Sequence, residues 1–341
     1  MIKTAQRPKL GAGVVGLGVG EQHARTLGAH RAIDTVWLYD SRRERAESVA
    51  NNVPRARVAE SFTSLLENPA VDLISIASFD DAHFGQVTAA LSAGKHVFVE
   101  KPMCRTTDEL REINRLWTGA GRKLRLASNL ALRAAPLYRW LKGAIARGDL
   151  GELFAIDGDY LYGRLHKITD GWRKDVGDYS VMLGGGIHLL DMMLWLTGRR
   201  PVSVTAAGNR ISSRDTGFRY DDFRTATLRF EDGMVGRITA NFGCVHPHHH
   251  VLRVFGTAAT FIYDDAGARL HESRDPASEP RAIDAAPLPA SKGDLIPGFV
   301  ESIANDTDFT YETQTIFDGI SVAIACDRAA ASGGSERVEY V

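Results

Sequence analysis

Three short stretches of this chain carry residues whose types and spacing suit one chemistry. Gly16-Leu17-Gly18-Val19-Gly20 ends the apolar run 12–15. A glycine turn between strand and helix lets backbone N–H groups approach a pyrophosphate, whose charge the helix N-terminus favours. Glu100-Lys101-Pro102 follows His96-Val97-Phe98-Val99 and sets an amine at a strand end. Gly184-Gly185-Gly186-Ile187-His188-Leu189-Leu190-Asp191 sets an imidazole at the opening of a helix. Removing hydride from a carbinol requires its hydroxyl proton to leave as well, so a base must take it. A lysine beside an oxidised nicotinamide sits near positive charge and is partly desolvated. Both effects disfavour the ammonium form, so Lys101 is the candidate acid/base and His188 its partner.

Each element also has a plainer reading. Gly16, Gly18, Val19 and Gly20 form the candidate cradle, but the third glycine falls one residue early against GxGxxG, where Glu21 stands. Any tight strand–helix turn uses such glycines. Asp40 follows the run 36–39; a carboxylate there accepts both ribose hydroxyls and repels a 2′-phosphate, which favours NAD. Ser41-Arg42-Arg43 supplies a hydroxyl and guanidinium groups that would hold a 2′-phosphate, so NADP stays open. Ser78 and Phe79 end a further strand, over the expected dinucleotide, with Asp80 or Asp81 as a helix N-cap. His83 is either a cofactor contact or a satisfied helix residue. Around His188, the three glycines would let substrate approach the backbone. Asp191, on the same helix face, either orients the imidazole or satisfies it within a core.

Tyr160-Leu161-Tyr162-Gly163-Arg164-Leu165-His166-Lys167 precedes Trp172-Arg173-Lys174. Aromatic faces beside the cations of Arg164, His166 and Arg173 suit a sugar carrying a phosphate or carboxylate; the same pattern also describes a sheet face and a solvated loop. In His246-Pro247-His248-His249-His250, His248 and His250 share a strand face. No acidic or cysteine partner follows at ligand spacing, so a pH-sensitive or interface loop is expected there and no metal centre.

Strands and helices alternate to position these groups. Strand-like runs at 12–15, 35–39, 73–77, 96–99 and 124–127 alternate with helical patterns at 21–28, 42–51, 84–93 and 107–119. Each return to a parallel strand needs a crossover helix, so the pattern predicts an α/β, doubly wound parallel sheet with its ligand at the carboxyl ends of the strands. After residue 150 come longer alternating runs, at 153–162, 202–211, 225–230, 235–242, 250–255 and 259–263, interrupted by one helix over 186–196. They predict an antiparallel or mixed sheet. An exposed excursion is expected over 273–289, then helices over 296–305 and 313–331 and a strand over 337–341.

With 341 residues, the chain exceeds what one core usually organises, so two domains are expected. Its 41 basic and 42 acidic residues argue against nucleic acid or an anionic membrane as partner. Cys104, Cys244 and Cys326 lack CxxC spacing and read as reduced thiols. No apolar run reaches the roughly 20 residues of a membrane span, and residues 1–8 hold no signal-type apolar segment. A cytoplasmic protein is expected.

Together these residues resemble the glucose–fructose oxidoreductase/inositol dehydrogenase (Gfo/Idh/MocA) family. The likeness runs from the glycine turn with His23-Ala24, through Glu100-Lys101-Pro102, Asn129, Arg133 and Gly148-Asp149-Leu150-Gly151, to Trp172-Arg173, residues 184–191 and Gly198. The resemblance implies a Rossmann domain over 1–128 and a substrate-binding and oligomerisation domain over 129–341. The second domain is α+β, and its large, open, mainly antiparallel sheet would join copies into a homo-oligomer, a dimer or tetramer. The C-terminal helix would pack back on the Rossmann domain. The resemblance also implies NAD(P)-dependent oxidation or reduction of a sugar, sugar-derivative, sugar-nucleotide or cyclitol hydroxyl. Lys101 and His188 match its catalytic positions; Glu100, Ser78 and Asn129 match positions near the nicotinamide. One departure is Gly184, where many members carry an aspartate. Tyr179 or Asp191 would substitute, or Lys101 and His188 suffice. Two alternatives stand beside the dehydrogenase: an NAD-dependent glycosidase using transient hydride removal, and a catalytically weak dinucleotide sensor.

Overall fold

The first strand, β1 (Leu10–Val15), is buried from its second residue onward, as a strand covered on both faces must be. It belongs to a computed structural model that describes residues 9–341; the expectation placed on residues 1–8 lies outside them. The chain forms two compact units, one reaching to Ala131 and including 290–316, the other made of 132–289 and 317–341. The first unit therefore extends past the expected boundary at 128 and regains a later segment that sequence reasoning gave to the second.

In the first unit, β1 is followed by α1 (Gly20–Ala29), β2 (Ile33–Tyr39), α2 (Arg43–Ala50), β3 (Ala56–Val58), α3 (Phe62–Glu67), β4 (Leu73–Ile76), α4 (His83–Ser92), β5 (His96–Val99), α5 (Thr107–Gly119) and β6 (Leu126–Ser128). The sheet order is β3-β2-β1-β4-β5-β6, and every pair is parallel. The order reverses between β1 and β4, which opens a crevice at their carboxyl ends. α5 shows why these helices form where they do. Leu110, Ile113 and Trp117 give it one buried face, and Thr106 caps it by accepting from the Glu109 N–H at 3.2 Å. β3 and α3 were not expected, because a three-residue strand is too short to show alternation.

The second unit holds α6 (Pro136–Ala146), β7 (Leu153–Leu161), α7 (His166–Thr169), a π-helical turn over Met182–Gly186, and α8 (Ile187–Thr197). Then come β8 (Pro201–Asn209), β9 (Phe223–Phe230), β10 (Val235–Asn241), β11 (His249–Gly256), β12 (Thr260–Asp264), β13 (Gly267–His271) and β14 (Arg281–Ala282). α9 (Ile296–Ala304) lies in the first unit, α10 (Thr310–Ser332) begins there and ends in the second, and β15 (Ser335–Arg337) closes the chain. The second sheet runs β14-β13-β12-β11-β7-β10-β9-β8-β15, antiparallel except for β7 with β10. Its inner face is set by alternation: Ile156, Gly158 and Tyr160 of β7 are buried. α8 approaches β7 so closely that a Cβ on Gly158 would stand 3.2 Å from Leu189.

Three expectations change here. The excursion over 273–289 contains β14, paired with β13. The last strand lies at 335–337, not 337–341. α6, which was not expected, buries Leu137, Tyr138, Leu141 and Ala144 and opens with a proline at its first turn. Among the described residues no helix is long and apolar enough to cross a membrane, and the three cysteines are free.

Candidate active site

At the carboxyl edge of the first sheet the glycine turn is built residue by residue. Gly16 has φ +80°, and a Cβ there would stand 2.6 Å from the Ala77 carbonyl oxygen, so only glycine fits. Gly18 and Val19 are exposed, with open space around a Cβ at Gly18. Gly20 opens α1 and is buried; a Cβ there would meet Ala77 at 3.1 Å and Val14 at 3.3 Å. The early third glycine thus lets the helix pack on its strand. No side chain caps α1. Glu21, the residue that displaces the usual glycine, is paired with Arg25 and Arg45, and the hydrogen bond from Arg25 leads in holding its carboxyl below the usual range.

Asp40 Oδ2 accepts from the Leu17 N–H at 2.8 Å and Oδ1 from the Arg42 N–H at 3.0 Å. A carboxylate has about four lone-pair sites, so each oxygen keeps one for a further donor. Ser41 is exposed beside it, and the Arg42 side chain is 77% exposed. At the end of β4, Ser78 donates to Gln86 at 2.6 Å, and Phe79 is 60% exposed, an open aromatic face. His83, expected as a possible cofactor contact, is fully buried. Its Nδ1 faces the Pro102 carbonyl at 2.7 Å and its Nε2 the Ser78 carbonyl at 3.2 Å. It is the satisfied helix residue, tying the β4 end to the turn after Lys101.

Glu100 and Lys101 leave β5 at the same edge, both partly exposed, and the Lys101–Pro102 peptide is cis. Glu100 Oε1 accepts from Asn129 Nδ2 at 2.6 Å and lies 3.2 Å from His23 Nε2. His23 is fully buried and meets Ser75 Oγ through Nδ1 at 3.0 Å. The second Asn129 amide hydrogen goes to the Lys292 carbonyl at 2.8 Å. His23 Nε2 therefore carries its hydrogen toward Glu100, and Nδ1 accepts from Ser75. Burial pushes the Glu100 carboxyl up. The bonds from His23 and Asn129 and the charges of His23 and Lys101 outweigh it and hold the group below the usual range. Asn129, expected at the cofactor, is 1% exposed and braces Glu100. Ser75 and Lys292 were missed: neither stands in a motif.

In the second unit His188 opens α8 at 8% exposure, stacked on Tyr160 at 6.1 Å. Tyr160 is the hub, its ring 5.9 Å from Tyr162, 5.7 Å from Phe242, 5.3 Å from His248 and 5.2 Å from His250. Burial raises its phenol pKa, opposed by the charges of Arg173 and Arg164. Arg164 is exposed over Tyr162, with 5.6 Å to the ring centre; Arg173 lies over Trp172 at 4.6 Å; His166 is exposed at the start of α7.

The glycine triplet does not open onto free space. All three are buried, and a Cβ would stand 2.4 Å from Tyr179 Oη at Gly184, 2.3 Å from the Tyr160 ring at Gly185, and 3.0 Å from Met182 at Gly186. The close approach is made by aromatic and thioether side chains, which corrects the expected substrate approach. Tyr179, 8% exposed, thus fills the space beside residue 184. Asp191 is 1% exposed, and its carboxylate accepts from Arg133 at 2.5, 2.9 and 3.2 Å. Burial raises its pKa against the Arg133 charge. Asp191 is a buried ion-pair partner of Arg133, unforeseen because the guanidinium comes from before α6. His246 finds an acid after all: Asp265, from the turn after β12, lies 3.1 Å from its Nε2. Among the described residues no cluster has the arrangement of a metal site.

Residues 10–128 match the family described as an oxidoreductase family with an NAD-binding Rossmann fold, and residues 138–262 match the GFO/IDH/MocA C-terminal domain. The chain belongs to the GFO/IDH/MocA oxidoreductase family. It is 27% identical over 231 residues to an uncharacterized oxidoreductase of Synechocystis, a match covering 66% of this chain and 61% of that protein. It is 28% identical over 228 residues to inositol 2-dehydrogenase 2 of Saccharopolyspora erythraea, covering 65% of this chain and 64% of that one. The chain thus spans under two thirds of the length of these relatives. The structure of scyllo-inositol dehydrogenase from Lactobacillus casei with bound NAD(H) and scyllo-inositol shares the fold, at 19% identity and a TM-score of 0.78 over 97% of this chain and 99% of that one.

Proposed function

We propose that the chain is an NAD(P)-dependent oxidoreductase acting on a secondary hydroxyl, or the matching ketone, of a sugar, sugar derivative, sugar nucleotide or cyclitol. The observation that carries this is the carboxyl edge of the first sheet: a glycine turn that admits no Cβ at Gly16, an uncapped helix start behind it, and the partly exposed Glu100-Lys101 pair leaving β5. These residues fit a dinucleotide. When bound, its nicotinamide supplies the hydride acceptor or donor. Gly16, Gly18, Val19 and Gly20 hold the pyrophosphate, Asp40 with Ser41 the adenosine ribose, and Ser78 and Phe79 flank the nicotinamide half. Asp40 keeps acceptor sites for ribose hydroxyls, which supports NAD over NADP.

Lys101 takes the substrate proton in oxidation and returns it in reduction. Glu100, braced by His23 and Asn129, sets the charge beside that amine. His188 assists Lys101, with Tyr179 as support in place of the acid absent at 184. Arg164, His166, Trp172 and Arg173 contact substrate, and their cations suit one carrying a phosphate or carboxylate. The relatives named for inositol oxidation support the polyol class. A second copy of this chain is the expected partner.

A panel of sugars, uronates, cyclitols and sugar nucleotides against NAD⁺ and NADP⁺, followed by absorbance of the reduced cofactor, tests the reading. Lys101→Ala lowers kcat on the best substrate by about 10²–10⁴-fold, the range for a general acid–base group, with cofactor affinity nearly intact. A variant that keeps most of its rate removes Lys101 from the mechanism.

A further inference from the structure

The segment Ser291-Lys292-Gly293-Asp294, far from the glycine turn in sequence, is fastened to α1 within the first unit. The Lys292 N–H donates to Gln22 Oε1 at 2.9 Å, and Ser291 Oγ donates to the same oxygen at 3.3 Å. The Lys292 carbonyl accepts from Asn129 Nδ2 at 2.8 Å. Gly293 comes so near the helix that a Cβ there would stand 2.2 Å from Thr26 Oγ1. The fastening has a cost. Asn129 commits its amide hydrogens to Lys292 and Glu100 and leaves Oδ1 buried without a partner, which is unfavourable for a polar atom. Fixing the backbone at both sides of a residue has a use when its side chain must meet something.

Lys292 itself is exposed, and its ammonium has no hydrogen bond or ion pair among the described residues. Gln22, which holds its backbone, stands in the first turn of α1, next to the exposed Gly18 and Val19 and an amino end that no side chain caps. An anion drawn to those N–H groups would lie within a lysine's reach of an anchored cation. We propose that Lys292 is a cofactor-binding residue whose ammonium pairs with a phosphate oxygen of the dinucleotide seated on the glycine turn; this rests on the dinucleotide reading above. The same Asn129 amide group braces Glu100 beside Lys101. The phosphate contact and the strand end bearing the acid/base group therefore share one support.

The test is equilibrium binding of NADH, followed by its fluorescence, to the full chain and to Lys292→Ala, Lys292→Arg and Gln22→Ala over a range of ionic strength. Lys292→Ala weakens binding about tenfold, the loss of one charge-assisted hydrogen bond, and flattens its salt dependence. Lys292→Arg keeps most of the affinity. Gln22→Ala, which releases the anchored backbone while leaving the ammonium in place, weakens it in part. Lys292→Ala binding NADH as the unaltered chain does, with the same salt dependence, overturns the role of Lys292. No binding of NADH or NADPH by the unaltered chain overturns the dinucleotide reading itself.

Discussion

At Gly184 an added Cβ would stand 2.4 Å from the Tyr179 hydroxyl and 2.9 Å from the ring carbon that bears it. Both positions are buried, and Tyr179 is held by edge-on contacts to Phe218 at 5.8 Å and Phe242 at 6.3 Å. The tyrosine cannot swing away without disturbing that cluster. Gly184→Ala should therefore cost about 1–3 kcal/mol, the range for overpacking a filled core, read as a lower melting temperature. Tyr179→Ala in the same chain should return part of the loss, because the two changes share one volume. An unchanged melting temperature in Gly184→Ala would show the ring free to move. An aspartate at this place would have no room beside Tyr179. At this scale the sequence shows contiguous groups well: Glu100-Lys101-Pro102 and His188 sit at a strand end and a helix start, as expected. It does not show partners that only folding brings together. His23 with Glu100, Arg133 with Asp191 and Asn129 with the Lys292 carbonyl are such pairs, and periodicity carries no signal for them.

Strand β5 leads into Lys101, and it begins at His96, whose Nδ1 accepts the Arg125 N–H at 2.8 Å just before β6. That bond needs an unprotonated nitrogen. Burial first, and the nearby Arg125 charge second, depress the imidazole from 6.5 to about 4. A base with a lowered folded pKa stays neutral in the native state while the unfolded chain takes up a proton. Stability therefore falls as pH drops from about 6.5 to about 4 and levels off below, by at most about 3 kcal/mol from this group. Melting temperatures across that window should decline less in His96→Gln than in the unaltered chain. Equal slopes would place the pH dependence elsewhere. α5 was legible because burial on one face repeats over several turns, and β5 because its short run is apolar and buried without a break after His96. β3 and β14 were not, since each is held by pairing to a neighbouring strand. α6 was legible in principle, with its proline start and its buried residues at helical spacing.

For the molecule as a whole, the two faces of the second sheet differ in what they meet. One face is buried under α8 and the π-helical turn, as the close fits at Gly158, Gly185 and Gly186 require. Alternation puts Asp157 and Asp159 of β7, Arg237 of β10 and Arg253 of β11 on the other. There Arg237 lies 3.2 Å from Asp159 and 3.5 Å from Asp157, and Arg253 lies 3.2 Å from Asp159. Apolar surface accompanies these charges: Val235 is 42% exposed, and Phe154, at 52%, lies 6.2 Å from Phe255. A face of this kind, with its charges already balanced and exposed Val235 and Phe154 beside them, suits self-complementary pairing. We propose that a second copy covers it. Arg237→Glu places a third negative charge beside Asp157 and Asp159 on both copies. A dimer or tetramer by light scattering should then shift toward monomer as ionic strength falls, because screening of the repulsion weakens. The unaltered chain should hold its mass across the same series. An unaltered chain that runs as a monomer would leave this face without its partner.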